Sequence, residues 1–378
     1  VPALRFVRYA IMNLLLVLNL VWLCLGGGWL WLGFIAGLIL STAVDEAVGD
    51  DTATPGGAPR VFLDLMLYAT LPLLALNSLF LAFHVSSGDA LGLGAAMRTL
   101  GVDLFAARAS TGGWTLAGGI LALGMYLGAA GINVAHELIH RIETPFALAV
   151  GRWLLAFSCD TTFAIEHVYG HHRSVGTEAD PATARRGEWM PAFAWRSFVG
   201  GNIGAFRHET ARLERKGLPV WSWHNRAVSW QAASLAIALV WMAMAGWLGL
   251  GVFLLCAIQG KAYLEAVNYV EHYGLVRVPG MLIEPRHSWN TYRAISSALL
   301  YNLPRHAHHH RFASKPFWQL EPEPDGPTLP FGYMTAILVA SVPPLWHRVV
   351  DPLLAEWDRT QASAAERKFL ADRGLLLG

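Results

Sequence analysis

Cysteine is nearly absent from this chain. The 378 residues include three, Cys24, Cys159 and Cys256, far apart and in apolar surroundings. No Cys-x-x-Cys pair exists, which excludes a disulfide framework and a thiolate-held cofactor. Charge is scarce as well: Asp, Glu, Lys and Arg make up 15% of the residues, against about 25% in soluble proteins. The formal net charge is +1, and no nucleic-acid partner is expected. There is no internal repeat, no low-complexity tail and no sign of a second domain, so residues 1–378 read as a single integral-membrane domain.

What the chain has in abundance is apolar surface, 54% of its residues, with 16 tryptophans. Six stretches approach or reach the roughly 20 apolar residues that a membrane-spanning helix needs. They run over about 6–26, 28–45, 61–84, 114–135, 228–248 and 250–271. The second is short, and Asp45 is expected to end its bilayer portion early. Gly26-Gly27-Gly28 turns the first pair into a hairpin, and a turn around Gly246 and Gly249 does the same for the last. Arg5 and Arg8 precede an apolar run long enough to span a bilayer, which reads as a span rather than a cleavable signal peptide. The fold class is therefore an all-α membrane protein with six transmembrane helices.

Lys and Arg orient it. With a cytoplasmic N-terminus, the outer loops 27–28, 85–113 and 247–250 hold only Arg98 and Arg108 of the 28 basic residues. Both termini and the two long segments 136–227 and 272–378 are then expected on the cytoplasmic face, in a bacterial inner membrane. Pro145–Phe157 is too short to span and reads as a helix under the membrane or re-entering it. Phe331–Val350, with Pro343-Pro344 and Trp346, reads as an interfacial segment, and 352–372 as a surface helix.

The histidines carry the chemistry. Of 15, 11 fall in tight groups on that one face: His136 and His140; His167, His171 and His172; His272; His287; and His306, His308, His309 and His310. Three imidazoles in six residues are not core packing, because each buried ring needs a hydrogen-bond partner. On an α-helix His167 and His171 share a face, and His172 points about 100° further round, so one turn can serve two ions. His136-Glu137-Leu138-Ile139-His140 taken alone matches the zinc-peptidase pattern with glutamate as general base. Zinc, however, takes three protein ligands and an open position, and here about nine imidazoles are available. Two ions sharing them suits the count better, and imidazole alone does not choose among iron, zinc and copper.

At these residues the sequence resembles the integral-membrane alkane 1-monooxygenases (alkane omega-hydroxylases), with the xylene side-chain monooxygenases close by. The resemblance rests on His136–His140, Glu166–His172 running on through Asp180-Pro181-Ala182-Thr183, Asn268–Leu275, His287-Ser288-Trp289-Asn290 and Arg305–His310. It covers most of the chain from about Asp45 onward. It implies six transmembrane helices, a non-haem di-iron centre and electrons from rubredoxin with its reductase. Carried over by motif, the ligands are His136, His140, His167, His171, His172, His272, His306, His309 and His310. His287 lies in a family motif and is expected behind the ligands or near substrate. The last box departs from the family at Ala307 and His308; His308 is expected to be a spare, solvated imidazole, the alternative being that it displaces a neighbour as ligand. Arg141 stands where a lysine is usual.

A metal-bound imidazole usually donates its other N–H to a carboxylate or carbonyl, and Glu166, Asp180 and Glu271 are candidates for that role. Their alternative is plain solvated charge. His84, His208, His224 and His347 read as loop or interfacial residues, and Lys261, within the sixth stretch, either snorkels or pairs inside the bundle. The implied reaction is RH + O2 + 2e⁻ + 2H⁺ giving ROH and water, at the terminal methyl of a medium- or long-chain alkane taken from the bilayer. Candidate channel walls are Trp29, Trp31, Phe34, Leu38, Leu65, Leu73, Leu76 and Ile132. Arg173, Arg185, Arg186, Arg305 and Arg311 are candidates for steering a small acidic rubredoxin, or for anchoring the positive-inside face. A methyl-arene monooxygenase and a fatty-acyl desaturase are the nearer alternatives, a membrane zinc peptidase the remote one.

Overall fold

The computed structural model describes residues 2–377. Among them the backbone is helix and loop, with two isolated bridges, Asp50 to Arg293 and Asn290 to Thr328, as the only extended pairing. Five helices are long and apolar enough to cross a membrane: α1 (Arg5–Leu25), α2 (Gly27–Val48), α3 (Arg60–Val85), α4 (Gly113–Ile139) and α5 (Arg226–His272).

Six apolar stretches become five continuous helices because the last two stretches form one interrupted element. Its 47 residues would reach about 70 Å if straight, over twice the roughly 30 Å hydrocarbon thickness. It is not straight. Ala245 (φ −135°, ψ 16°) and Gly246 (φ 60°, ψ −152°) leave helical geometry, and Gly246 takes a positive φ that a Cβ would strain. A Cβ at Gly249 would lie 2.6 Å from the Trp241 carbonyl oxygen, and the Trp241 and Phe253 rings stand 6.1 Å apart. Eight residues of continuous helix would separate such groups by about 12 Å. The chain therefore folds back here, at the turn the glycines announce, into arms 226–244 and 247–272.

Inside the bundle, polar side chains join the helices. Asn19 Nδ2 donates to Asn77 Oδ1 at 2.7 Å, and Asn77 Nδ2 donates to Leu16 O at 3.0 Å, binding α1 to α3. Trp241 Nε1 donates to Ser78 Oγ at 2.9 Å. Such bonds are favoured where no water competes. His84 is buried at the end of α3, with Nε2 2.7 Å from Leu23 O, rather than sitting in a loop. The second arm of α5 lies close against α4: a Cβ at Gly128 would meet Tyr263 Cβ at 2.7 Å and Gly260 O at 3.1 Å. This approach runs α4 and the second arm of α5 side by side toward the ends that carry His136 and His272.

Asp45 does not leave the bundle for solvent. It is buried, and its carboxylate accepts the backbone N–H of Ile295 and Ser296, both at 2.9 Å, locking α2 to the helix Ala294–Leu299. The cap on α4 and α5 is built from helices Pro145–Ala156, Met190–Glu214, His306–Arg311, Tyr333–Ala340, Pro343–Thr360 and Ala364–Ala371. Pro145–Ala156, 12 residues long, extends only about 18 Å and packs its Gly151 against Leu138 and Ile139. The C-terminal helices bury one face in the cap and leave Leu338, Val342 and Leu345 exposed on the other. Trp346 is fully buried with its ring 5.7 Å from Tyr269 and 5.5 Å from Tyr273. Leu354, Trp357, Asp358 and Leu370 are buried with it.

Candidate metal centre

Three π-helical turns interrupt the helices that lead to one region: Leu40–Val44, Leu127–Ile132 and His167–His171. The last decides how the histidines pair. A π turn bonds residue i to i+5, so the fifth residue, not the fourth, returns over the first. His167 Nε2 accordingly lies 3.1 Å from His172 Nε2, while the His171 ring stacks on His167 with centroids 5.2 Å apart and offers its nitrogen to the other group. His167 and His171 stay neighbours as expected, but their nitrogens serve different groups.

The structure brings together nine of the histidines in two groups, one of His136, His140, His167, His172 and His309, the other of His171, His272, His306 and His310. In the first, His167 Nε2 is 3.1 Å from His140 Nε2, and His309 Nε2 is 3.1 Å from His172 Nε2. In the second, His306 Nε2 stands 3.0 Å from His272 Nε2 and 2.9 Å from His310 Nε2. Burial, and then the neighbouring imidazoles, hold His167, His172, His306, His309 and His310 well below the ordinary histidine pKa, so they are neutral.

The donors suit a cation. His171 Nδ1–H donates to Asp180 Oδ2 at 2.9 Å and His272 Nδ1–H to Asn268 O at 3.0 Å, which leaves both Nε2 atoms as bare lone pairs. His171 Nε2 and His136 Nε2 are buried and make no hydrogen bond. Lone pairs about 3 Å apart repel unless a cation lies between them. Nitrogens at about 2.0–2.1 Å from a common ion are separated by roughly 2.8–3.4 Å along the edges of an octahedron or tetrahedron, which matches the observed spacing.

Asp180 is fixed in turn by Thr183 Oγ1–H at 2.6 Å and Ala182 N–H at 3.1 Å. Burial alone would raise its pKa, yet His171 and Thr183 hold it below the ordinary range. Glu271 Oε1 lies 3.2 Å from His306 Nδ1. Glu166 sits apart from the groups' nitrogens, its Oε2 3.7 Å from His208 Nε2. Burial, then the Asp180 charge, push its pKa up to about 7. His287 is also elsewhere: its Nε2–H donates to Glu366 Oε1 at 2.7 Å and its Nδ1 accepts Glu284 N–H at 3.0 Å, so it pins the C-terminal helix to the cap. His308 belongs to neither group. It is buried rather than solvated, accepting Glu321 N–H at 3.2 Å and packing on Phe312. Glu137 pairs with Arg141 at 2.9 Å, a commitment at odds with the free general base of a zinc peptidase.

An apolar cavity runs from within the bundle to the groups. It has about 90 Å³ open to the centre of a water-sized sphere and is walled by Leu15, Met125, Ala129, Ile132, Leu264 and Leu299, with His136, His167 and His306 at its end. Of the eight expected wall residues only Ile132 lines it. Trp29, Leu65 and Leu76 face outward, 50%, 55% and 39% exposed. The expected arginines also divide. Arg305 is fully buried and donates to Leu320, Asp51 and Ala53 carbonyls; Arg186 pairs with Asp358 at 2.7 Å, and Arg311 with Glu323 at 2.7 Å. Arg173 and Arg185 remain exposed beside Arg207, around a bowl floored by Gly170 of the histidine turn. Lys261 pairs within the bundle, 2.8 Å from both Asp160 and Glu265. Sequence reading missed Asn133 and Tyr333 at the cavity, and Glu366; none carries a local signal, because each meets its partner through chain folding.

Apolar helices carrying two converging histidine groups define a histidine-rich multi-pass membrane oxidoreductase, and residues 112–323 match the fatty acid desaturase family. Among curated relatives, alkane 1-monooxygenase 2 of Pseudomonas aeruginosa is 35% identical over 86% of this chain and 83% of its own length. Alkane 1-monooxygenase 1 of the same organism is 40% identical over 62% of this chain, which spans 63%, less than two thirds, of that relative. The xylene/toluene monooxygenase hydroxylase component of Pseudomonas putida is 30% identical over 96% of this chain and 92% of its own length. The chain belongs to the alkane 1-monooxygenase family, and the activity class that membership carries is that of a monooxygenase.

Proposed function

We propose that this protein hydroxylates the terminal methyl of medium- or long-chain alkanes, using O2, at a non-haem di-iron centre supplied with electrons by rubredoxin and its reductase. One observation carries the reading: an apolar cavity ends against His136 and His167 of one nitrogen group and His306 of the other. An alkyl chain held by shape alone presents its end to both groups. The five nitrogens of the first group and the four of the second would hold one iron each, and the pair supplies the oxidant that an unactivated C–H bond requires. Asp180 fixes the tautomer and direction of His171, Asn268 O does so for His272, and Glu271 stands behind His306. The cavity wall excludes water from the reacting carbon and orients the chain end-on.

In this reading the two arms of α5 cross the bilayer separately, giving six crossings, and the basic cap faces the cytoplasm of a bacterial inner membrane, with bundle and cap as a single catalytic domain. A methyl-arene is the second substrate reading, favoured by the length of the match to the xylene/toluene enzyme. Cells expressing the chain with a rubredoxin system, fed alkanes and xylene under ¹⁸O2, decide between them by mass spectrometry. A labelled primary alcohol is expected; an unlabelled alkene shifts the reading to desaturation, and no oxidised product removes it.

The bowl formed by Arg173, Arg185 and Arg207 suits an acidic donor, and its floor is the histidine turn itself. Among the described residues none of these three guanidinium groups has a carboxylate partner within 4.0 Å. With Arg173→Glu and Arg207→Glu together, KM for rubredoxin rises about tenfold or more, as expected when steering charges are reversed. Stopped-flow reduction at several salt concentrations checks this, and a rate indifferent to both charge and salt removes the docking assignment.

A further inference from the structure

Two cavities reach the histidine groups, and they differ in kind. The second is small, about 30 Å³ open to the centre of a water-sized sphere, and is bordered by Glu166, Asn202, Lys261 and Glu265, by the apolar Phe163, Phe198 and Pro181, and by His167 and His171. His167 belongs to the five-nitrogen group and His171 to the four-nitrogen group, so this chamber touches both. On one side Lys261 Nζ is held 2.8 Å from Asp160 Oδ2 and 2.8 Å from Glu265 Oε1. On the other, Thr162 Oγ1 donates to Asn202 Oδ1 at 3.0 Å. Glu166 Oε2 is buried with no hydrogen-bond partner. Polar groups placed this way call for water, and at about 10–15 Å³ per molecule the space takes two or three. Glu166 and Pro181 also form part of the open arginine bowl, so one carboxylate side chain separates the chamber from the surface of the cap.

The proposal rests on the hydroxylase reading. Each turnover of RH + O2 + 2e⁻ + 2H⁺ to ROH + H2O takes in two protons and releases one water, with the electrons coming from a one-electron carrier protein. The alkyl cavity is bordered by Asn133, Asn268, Glu271 and Tyr333 as well as by Leu, Met and Ile side chains, but nearly all of its open wall is apolar, which suits an alkyl chain rather than a file of water. We propose that the chamber between Glu166 and Lys261 is a water-filled conduit, separate from the substrate cavity, by which protons reach the reaction centre and product water leaves. Substrate then arrives from the apolar side of the histidine groups and protons from the polar side. The buried Asp160–Lys261–Glu265 cluster keeps the conduit wet.

Gly201 provides the test. It lines the chamber, and a Cβ there meets only Glu166 Cγ at 3.7 Å, an ordinary contact. At Gly204 a Cβ would strike Glu166 Oε2 at 2.2 Å, and at Gly200 it would strike Pro181 Cβ at 2.6 Å. The series Gly201→Ala, Gly201→Val and Gly201→Leu therefore fills the chamber stepwise without removing a charged group. In the full chain with its electron donor, kcat is expected to fall progressively, about tenfold by leucine, as expected for losing general acid–base proton transfer. KM for alkane stays constant, the solvent deuterium isotope effect rises, and iron per chain matches the parent. A high-resolution map of the parent, recorded without turnover, shows ordered waters between Glu166 and Lys261; the leucine variant shows none, and the valine variant serves if leucine does not accumulate. A dry chamber in the parent overturns the proposal, and so does a filled chamber with kcat unchanged, or with kcat lowered but the isotope effect unmoved. The hydroxylase reading fails separately, if the parent makes no ¹⁸O-labelled alcohol.

Discussion

With the proposed di-iron centre in place, His171→Ala is expected to cost the chain about half of its bound metal and nearly all of its turnover. His171 is one of only four nitrogens in its group, and its removal leaves three, with Asp180 buried and without the imidazole it now binds. Loss of a partner behind a ligand typically lowers metal affinity or activity by about 10–100-fold. Asp180→Asn should fall in that range, and loss of the ligand itself should exceed it. His140→Ala provides the internal comparison: its group keeps four nitrogens, so it should retain more metal than His171→Ala. Elemental analysis of the purified variants, alongside product formation, reads both quantities. Full iron and full activity in His171→Ala would show that the second group is not a metal site.

Under the proposed alkane reading, Ala129→Phe is expected to change which chain lengths are accepted without changing metal content. Ala129 lies in the π turn of α4 and lines the apolar cavity. It stands seven residues before His136, about 10 Å away along the helix. A phenyl group there closes the cavity short of its present end. Each methylene denied burial costs about 0.8 kcal/mol, so excluding three lowers kcat/KM for a long chain by about 2.4 kcal/mol, roughly 60-fold. Chains short enough to stop below residue 129 should retain turnover. Competition between alkanes of different length, with products separated by gas chromatography, measures the shift. A uniform loss at every length would mean that substrate does not run past Ala129.

Much of this architecture could be read from the chain as written. Hydropathy marks the apolar stretches because a membrane helix satisfies its own backbone and needs only a long enough apolar run. Gly246 announces the reversal inside α5, since a positive φ there is a local demand. Histidine spacing is equally local, and nine of the residues singled out on that basis converge in space. Reading went wrong where a residue's environment comes from distant chain. Arg186 looks like free cytoplasmic charge until Asp358 reaches it from 172 positions away, and His287 looks like a site residue until Glu366 is seen against it. Trp346 follows a Pro-Pro pair and reads as interfacial, yet Tyr269 and Tyr273 enclose it.

By itself the sequence determined the all-helical membrane class, the family and the identity of the clustered histidines, because each depends on composition or on spacings of a few residues. Only the tertiary structure decided how those histidines divide into five and four. That division turns on a π-helical hydrogen-bond pattern at His167–His171, which brings the His172 nitrogen to the His167 nitrogen while the His171 ring stacks alongside, and on the close approach of α4 to α5 at Gly128 and Gly260. Neither is a property of a short stretch: the backbone departs from the α-helix there because the packing of distant segments favours it. The same packing sets the apolar cavity on one side of the nitrogens and the polar chamber on the other.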